Sequence, residues 1–332
     1  MSASDCDLGQ KYIINAIAPN YPDLEIETTA LLTLIGSLTR YQKVPEKLHY
    51  TPNLRLGSSI DPGCVLLSSN MHIKDRTFII SGGSSGLGLA TVRDLHEHGG
   101  YVAIVDINEQ AGNKAVTDLG DHVKFWKTDI MDSSSIESAV KGIAEWVKQT
   151  GKPIGAVIPA AGVGNPAKLI TKKNEPVPMK QLDFVLNINL RGVLDLVRQV
   201  LPHMTVNEPS GDDGERGVIV LVSSSAAFDG QPGQVAYAAS KGAIRSMTLV
   251  LARDLAQNGI RCMAVAPSFF ESPMTAQLSD TVRKSLEKVF EFPKRPGQAK
   301  EFASCVRFCI ENQMLNGEVI RLDGATRMPS RL

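Results

Sequence analysis

The chain has 332 residues, 35 basic and 35 acidic side chains, and a formal net charge of zero. That balance, with no basic run interleaved with aromatics, excludes the usual signature of a nucleic-acid-binding surface. No apolar run reaches the roughly 18 residues that a membrane span needs, so the length is read as one large α/β domain with an extension.

Taken in chain order, residues 1–73 form the extension. Ile26, Ala30, Leu34 and Leu38 recur at helical spacing, with Asp23 near the start of that helix. Pro45, Pro52, Pro62 and Gly63 then mark an irregular linker. No arginine precedes Arg40, which is unlike a secretory signal or a mitochondrial transit peptide.

From residue 74 the signals alternate between strand and helix. Strands are predicted at 77–81, 101–106, 123–127, 155–159, 218–223, 261–266 and 319–322. Helices are predicted at 86–98, 109–118, 134–149, 180–203, 235–258 and 299–311. The alternation predicts a Rossmann-type, doubly wound parallel sheet with right-handed crossovers. Plentiful aliphatic residues and few aromatics suit strands buried between helices. A ligand then belongs at the carboxyl ends of the strands.

The first strand ends in a glycine-rich turn, and Leu89, Ala90, Val92 and Leu95 follow at helical spacing. Gly82, Gly86 and Gly88 therefore sit where backbone can approach a pyrophosphate at a helix N-terminus. The second strand ends on Asp106, at the distance expected for a ribose contact. Its carboxylate would repel a 2′-phosphate, and neither Ser85 nor Ile107 is basic, so NAD is the expected cofactor. Ser134 and Glu137 read as a capping box for the third helix.

Further along, Tyr237 and Lys241 are four residues apart on a helix and share a face. A phenol titrates near about 10, and an adjacent ammonium is expected to lower that value. Ser224, thirteen residues upstream of Tyr237 at the end of an apolar run, can supply a hydroxyl to a substrate oxygen. The three groups suit proton transfer at an alcohol or carbonyl.

In this order these motifs resemble a classical short-chain dehydrogenase/reductase, over Lys74 to Met328. Within that family, Asn207-Glu-Pro, Ala226-Ala-Phe-Asp-Gly-Gln231, Ala252-Arg-Asp-Leu255 and Leu315-Asn-Gly-Glu-Val-Ile-Arg-Leu-Asp-Gly324 resemble type II 3-hydroxyacyl-CoA dehydrogenases, also known as hydroxysteroid dehydrogenases. The resemblance implies reversible hydride transfer at a secondary alcohol, with Tyr237 as general acid/base, Lys241 lowering its pKa and holding the nicotinamide ribose, and Ser224 on the substrate oxygen. It implies that Asn189 holds a relay water while the adjacent Asn187 faces elsewhere. It adds Ser84, Ser85, Leu87, Asp129, Ile130, Ala161, Gly162, Pro267 and Ser272 to the cofactor site, with Asp129 at the adenine. A homotetramer is also implied.

Two positions depart from the family pattern. Pro159 stands where Asn is usual, and the loss of a backbone donor there leaves the local sheet geometry near the cofactor open. Ser268 replaces the usual Gly after Pro267, and either crowds the nicotinamide or points away. Substrate specificity is assigned to loops. Lys168, Lys172 and Lys173 could meet CoA phosphates or be simply solvated. Phe269, Phe270, Met274, Leu278 and Phe290 could line an acyl pocket or pack as a lid.

Cys6, Cys64, Cys262, Cys305 and Cys309 form no Cys-x-x-Cys pair and suit a reducing compartment, with Cys305 and Cys309 as core thiols. His96 and His98 have no matching ligand cluster, so no metal is expected. Ser330-Arg331-Leu332 is a conservative variant of the Ser-Lys-Leu peroxisomal signal, and residues 329–332 are read as a targeting tail for the peroxisomal import receptor. The leading expectation is an NAD-dependent 3-hydroxyacyl-CoA dehydrogenase of the peroxisome. A steroid, polyketide or other secondary-metabolite alcohol is the alternative substrate, and a catalytically weak NAD-binding subunit is the alternative of another class.

Overall fold

A computed structural model describes residues 73–276, 286 and 288–328, all within the unit Val65–Leu332. The expectations for the extension, for Leu278, for Cys6 and Cys64 and for the terminal tripeptide lie outside the described residues.

Seven strands form one parallel sheet: β1 (Thr77–Ser81), β2 (Tyr101–Asp106), β3 (Val123–Lys127), β4 (Ile154–Pro159), β5 (Gly217–Val222), β6 (Ile260–Pro267) and β7 (Val319–Leu322), in the order β3-β2-β1-β4-β5-β6-β7. Every pairing is parallel. The central strands β1, β4, β5 and β6 are buried at every residue, which is why they read as continuous apolar runs. The order reverses between β1 and β4, so the crevice for a ligand opens at their carboxyl ends.

The helices are α1 (Gly86–Glu97), α2 (Glu109–Leu119), α3 (Ser133–Thr150), α4 (Met179–Leu186), α5 (Val193–Thr205), α6 (Val235–Asp254), the short α7 (Pro273–Ala276) and α8 (Ala299–Glu311). One core layer lies around Phe78, Val92, Leu95, Phe302 and Val306, beneath α1 and α8. The other lies around Ile136, Ile143, Leu196, Val200 and Ile244, beneath α3, α5 and α6. Among the described residues no helix is long and apolar enough to cross a membrane.

Two local expectations are corrected and a third is narrowed. The cap of α3 is Asp132, which accepts from the Ser134 N–H at 2.9 Å and the Ser134 hydroxyl at 2.8 Å; Ser134 is consumed as a donor and does not begin a capping box. The helix predicted over 180–203 is interrupted by a π turn, Asn187–Gly192, between α4 and α5. Pro159 disturbs the sheet on one side only. The β1 ladder runs through Ser81 opposite Pro159, and the next N–H, from Ala160, donates to the Ser81 carbonyl at 3.1 Å. Alternate residues of a strand aim their N–H groups to opposite sides, so the donor missing at Pro159 faces β5, whose ladder with β4 ends at Val157 opposite Ile219.

Candidate active site

A cavity of about 530 Å³ lies across the carboxyl ends of the strands. Its near end is built by β1 and α1. Gly82 has φ +67°, and a Cβ there would fall 2.8 Å from the Ala161 backbone. A Cβ on Gly88 would lie 2.1 Å from the Gly82 carbonyl oxygen, so only glycine lets α1 start this close to the turn. Ser85 occupies the N-cap position of α1, yet no side chain caps the helix. The exposed N–H groups of this helix end suit a pyrophosphate. Ser85, Gly86, Leu87 and Gly88 line the cavity. Ser84 is buried and does not, but its N–H donates to Asp106 Oδ2 at 3.1 Å.

Asp106, at the end of β2, is half-buried and lines the cavity beside Ile107. Its other oxygen accepts from the Asn108 N–H at 3.0 Å, so the backbone orients both oxygens. Asp129 and Ile130 line the same end, and Asp129 Oδ1 accepts from the Met131 N–H at 2.8 Å. Ala161 and Gly162 follow β4, and the Ala161 N–H donates to Ser81 Oγ at 3.2 Å. The glycine cradle, the helix end without a side-chain cap and the distal carboxylate together fit a dinucleotide.

Ser224, Tyr237 and Lys241 meet at the other end of this cavity. Ser224 is buried at the end of β5, where its Oγ accepts from the Ala226 N–H at 3.1 Å and starts a single 3₁₀ turn. Burial pushes the Tyr237 phenol above its ordinary value, and a hydrogen bond with Ser224 offsets part of the rise. The net direction is upward, whereas the spacing from Lys241 predicted a lowered value. The Lys241 ammonium donates to the Val222 carbonyl at 2.8 Å and lies 5.9 Å from the centre of the Tyr237 ring. Lys241 is itself 5% exposed, and burial draws its own value down to about 8.

Asn189 sits in the π turn and is fully buried. Its side-chain oxygen accepts from the Val163 N–H at 2.8 Å, and its amide donates to the Val163 carbonyl at 2.9 Å. The side chain thus clasps the loop after β4, a loop that also lines the cavity. Asn187 is not part of the lining.

Pro267, Ser268 and Ser272 line the cavity from β6 and the loop beyond it. The Ser268 N–H donates to the Leu322 carbonyl at 3.1 Å, and its Oγ is buried without a partner among the described residues. The Ser272 hydroxyl accepts from the Thr275 N–H at 3.3 Å and opens α7. Sequence reasoning missed Thr275, whose hydroxyl donates to the Phe270 carbonyl at 2.7 Å, and missed Phe184 and Ile188; all three line the cavity. Ser272-Pro273 with Thr275 two residues beyond was the available signal for Thr275, and nothing in the helical spacing of α4 singled out Phe184.

The loop residues proposed for substrate divide. Phe270 lines the cavity and packs edge-on against Phe302 at 6.4 Å between ring centres. Phe269 and Phe290 do not line it; they stack on one another at 6.0 Å, with Leu286 and Met328 around them, as the packing of a lid. Lys168, Lys172 and Lys173 are exposed and lie outside the cavity lining. Cys309 is buried and Cys305 half-buried, both free thiols of α8.

Residues 76–283 match the model of a family described as short chain dehydrogenase. The chain belongs to that family. Among its relatives, 3-hydroxyacyl-CoA dehydrogenase type-2 of Drosophila melanogaster is 40% identical over 77% of this chain and 99% of its own length. The protein of that name from Bos taurus is also 40% identical, over 77% and 97%. A crystal structure of 3-hydroxyacyl-CoA dehydrogenase type-2 from Mycobacterium avium superposes with a TM-score of 0.72 at 32% identity, covering 78% of this chain and 99% of that one. This dehydrogenase is therefore an oxidoreductase acting on CH–OH groups, with the Rossmann-type sheet the sequence predicted.

Proposed function

We propose that this short-chain dehydrogenase interconverts a 3-hydroxyacyl-CoA and the corresponding 3-ketoacyl-CoA with NAD. The observation that carries the reading is one continuous cavity with the Asp106 carboxylate at one end and Ser224, Tyr237 and Lys241 at the other. The names of the relatives support the acyl-CoA class. Asp106, with both oxygens oriented by backbone N–H groups, supports NAD over its 2′-phosphorylated counterpart. Bound NAD supplies a hydride acceptor in oxidation and, reduced, a hydride donor in the reverse direction.

The chain's own residues handle the proton. Ser224 holds the reacting oxygen with its hydroxyl while Tyr237 takes the alcohol proton in oxidation or gives its own to the ketone oxygen in reduction. Lys241, buried beneath Tyr237, supplies a donor for the ribose and a local positive charge as the phenol ionises. Asn189 holds the Val163 loop in place beside the same cavity.

NADH oxidation with acetoacetyl-CoA tests the reading. Turnover is expected in the wild type, and Tyr237→Phe should lower it by at least about 10²-fold, the usual scale of a general acid/base, while NADH binding persists. Wild-type turnover in Tyr237→Phe contradicts the assignment of the acid. Inactivity of the wild-type protein on acetoacetyl-CoA and longer 3-ketoacyl-CoAs, with turnover of a free ketone, contradicts the substrate class.

A further inference from the structure

Outside the cavity, a cluster of charge and one aromatic ring stands behind the catalytic hydroxyls. Ser224 is joined to Phe228 and Asp229 by the single 3₁₀ turn Ser225–Ala227; the N–H groups of Phe228 and Asp229 both donate to the Ser225 carbonyl at 2.9 Å. Two guanidinium groups lie over the Phe228 ring, Arg245 at 4.3 Å and Arg321 at 4.6 Å. Arg245 belongs to α6, four residues beyond Lys241 and eight beyond Tyr237, so the three share a helix face. Arg321, in β7, donates to Asp229 Oδ2 at 2.6 Å and to Asp323 Oδ2 at 2.7 Å. The Met328 N–H also donates to Asp229, at 3.4 Å. Phe228, Asp229, Arg245 and Arg321 are all absent from the cavity lining.

The turn that begins at Ser224 is thus held from two directions, by β7 through the ion pair and by α6 through the ring. We propose that Asp229 and Arg321, acting through Phe228, are positioning residues that set the Ser224 hydroxyl against the Tyr237 phenol. Ser224 and Tyr237 come from different elements and line one cavity, and two hydroxyls that must address the same substrate oxygen tolerate only small displacements. An aromatic ring under two guanidiniums resists sliding, because the cations favour the ring face. The Arg321–Asp229 pair is mostly shielded, at 20% and 16% exposure, so it constrains geometry more firmly than a solvated pair. The consequence for turnover rests on the proposed function, whereas the consequence for the Ser224–Tyr237 hydrogen bond does not.

The test uses full-length protein carrying tyrosine labelled with carbon-13 at Cζ, a nucleus sensitive to hydrogen bonding of the phenol. The Tyr237 resonance is assigned by its loss in Tyr237→Phe, and Ser224→Ala gives the displacement for a lost hydrogen bond. Asp229→Asn, which keeps the size and removes the charge, should move the resonance in the same direction by at least about half as much. Its kcat should fall about tenfold with KM changed less than about twofold, the pattern for geometry felt in the transition state. Asp229→Glu should restore both. A folded Asp229→Asn protein whose Tyr237 resonance does not move overturns the proposal. Should Asp229→Asn fail to fold, Phe228→Leu, which keeps an apolar side chain and removes the ring, is judged by the same displacement. If the resonance responds as expected but no acyl-CoA is turned over, the substrate reading falls and the positioning role stands.

Discussion

Tyr237 shows how burial competes with charge at a single side chain. Its helical spacing from Lys241 announced a proton-transfer pair, but spacing carries no information on desolvation, which here pushes the phenol upward. Lys241 feels the same burial in the opposite sense and falls to about 8. The phenol is therefore protonated at neutral pH and ready to donate to a ketone oxygen. Oxidation needs the phenolate, so its kcat/KM should rise with pH above neutral, while that of reduction stays flat through neutrality. A flat oxidation profile from neutral to alkaline pH contradicts this assignment of the acid and base forms. Asp106 is the complementary case, legible from its place at a strand end. On the proposed NAD reading, Asp106→Ala removes a charge that would oppose a 2′-phosphate, so the NAD/NADP preference in kcat/KM should drop by at least about tenfold, or ~1.4 kcal/mol. An unchanged ratio assigns the selection to another residue.

Elements were legible where the pattern is periodic. β1 to β3 and β7 were placed to the residue; the apolar runs of β1 and β2 end sharply at Gly82 and Asp106, and β7 stops before Asp323. The π turn was not, because an inserted residue shifts the helical face without changing composition; only the buried Asn189 within an apolar helix hinted at it. Its consequence is local and testable. The extra residue turns the Asn189 amide onto Val163, satisfying one backbone donor and one acceptor. Asn189→Ala should strip both partners at once, lowering stability by about 1–3 kcal/mol and weakening NADH binding through the loosened loop. Calorimetry of the free protein and fluorescence titration with NADH measure the two effects. Loss of stability with unchanged NADH affinity would mean that the Val163 loop does not shape the cofactor site. The lid was legible in composition but not in direction: Phe269 and Phe270 are neighbours, and their opposite fates depend on which side of the chain meets α8.

Across the whole molecule, chemistry and anchorage occupy opposite ends of the sheet. The proposed catalytic groups Ser224, Tyr237 and Lys241 follow the carboxyl end of β5, whereas Glu215 precedes β5 and Arg261 lies at the amino end of β6. Arg261 is 7% exposed, and every one of its guanidinium nitrogens donates: to Glu215 at 2.7 Å, to the Cys309 and Leu315 carbonyls at 2.8 Å and to the Ile310 carbonyl at 2.7 Å. It thereby closes the C-terminal turn of α8 onto the sheet, a role that no sequence motif announces because its partners are mostly carbonyls. Burial pushes the Glu215 carboxyl upward, and the Arg261 charge resists that rise. Arg261→Met would leave the carboxylate buried without its principal counter-charge and expose the helix-end carbonyls as unpartnered acceptors. The expected cost is about 3–5 kcal/mol of stability, the scale for breaking a buried ion pair. Because Glu215 gains protons on folding, that variant should recover part of the loss as pH falls towards the acid range. At a temperature where it remains folded, KM and kcat should match the wild type, since the strands' other ends are undisturbed. Denaturant unfolding at two pH values, paired with kinetics, separates the outcomes: a large change in kcat in the folded variant would show that the two ends of the sheet are coupled.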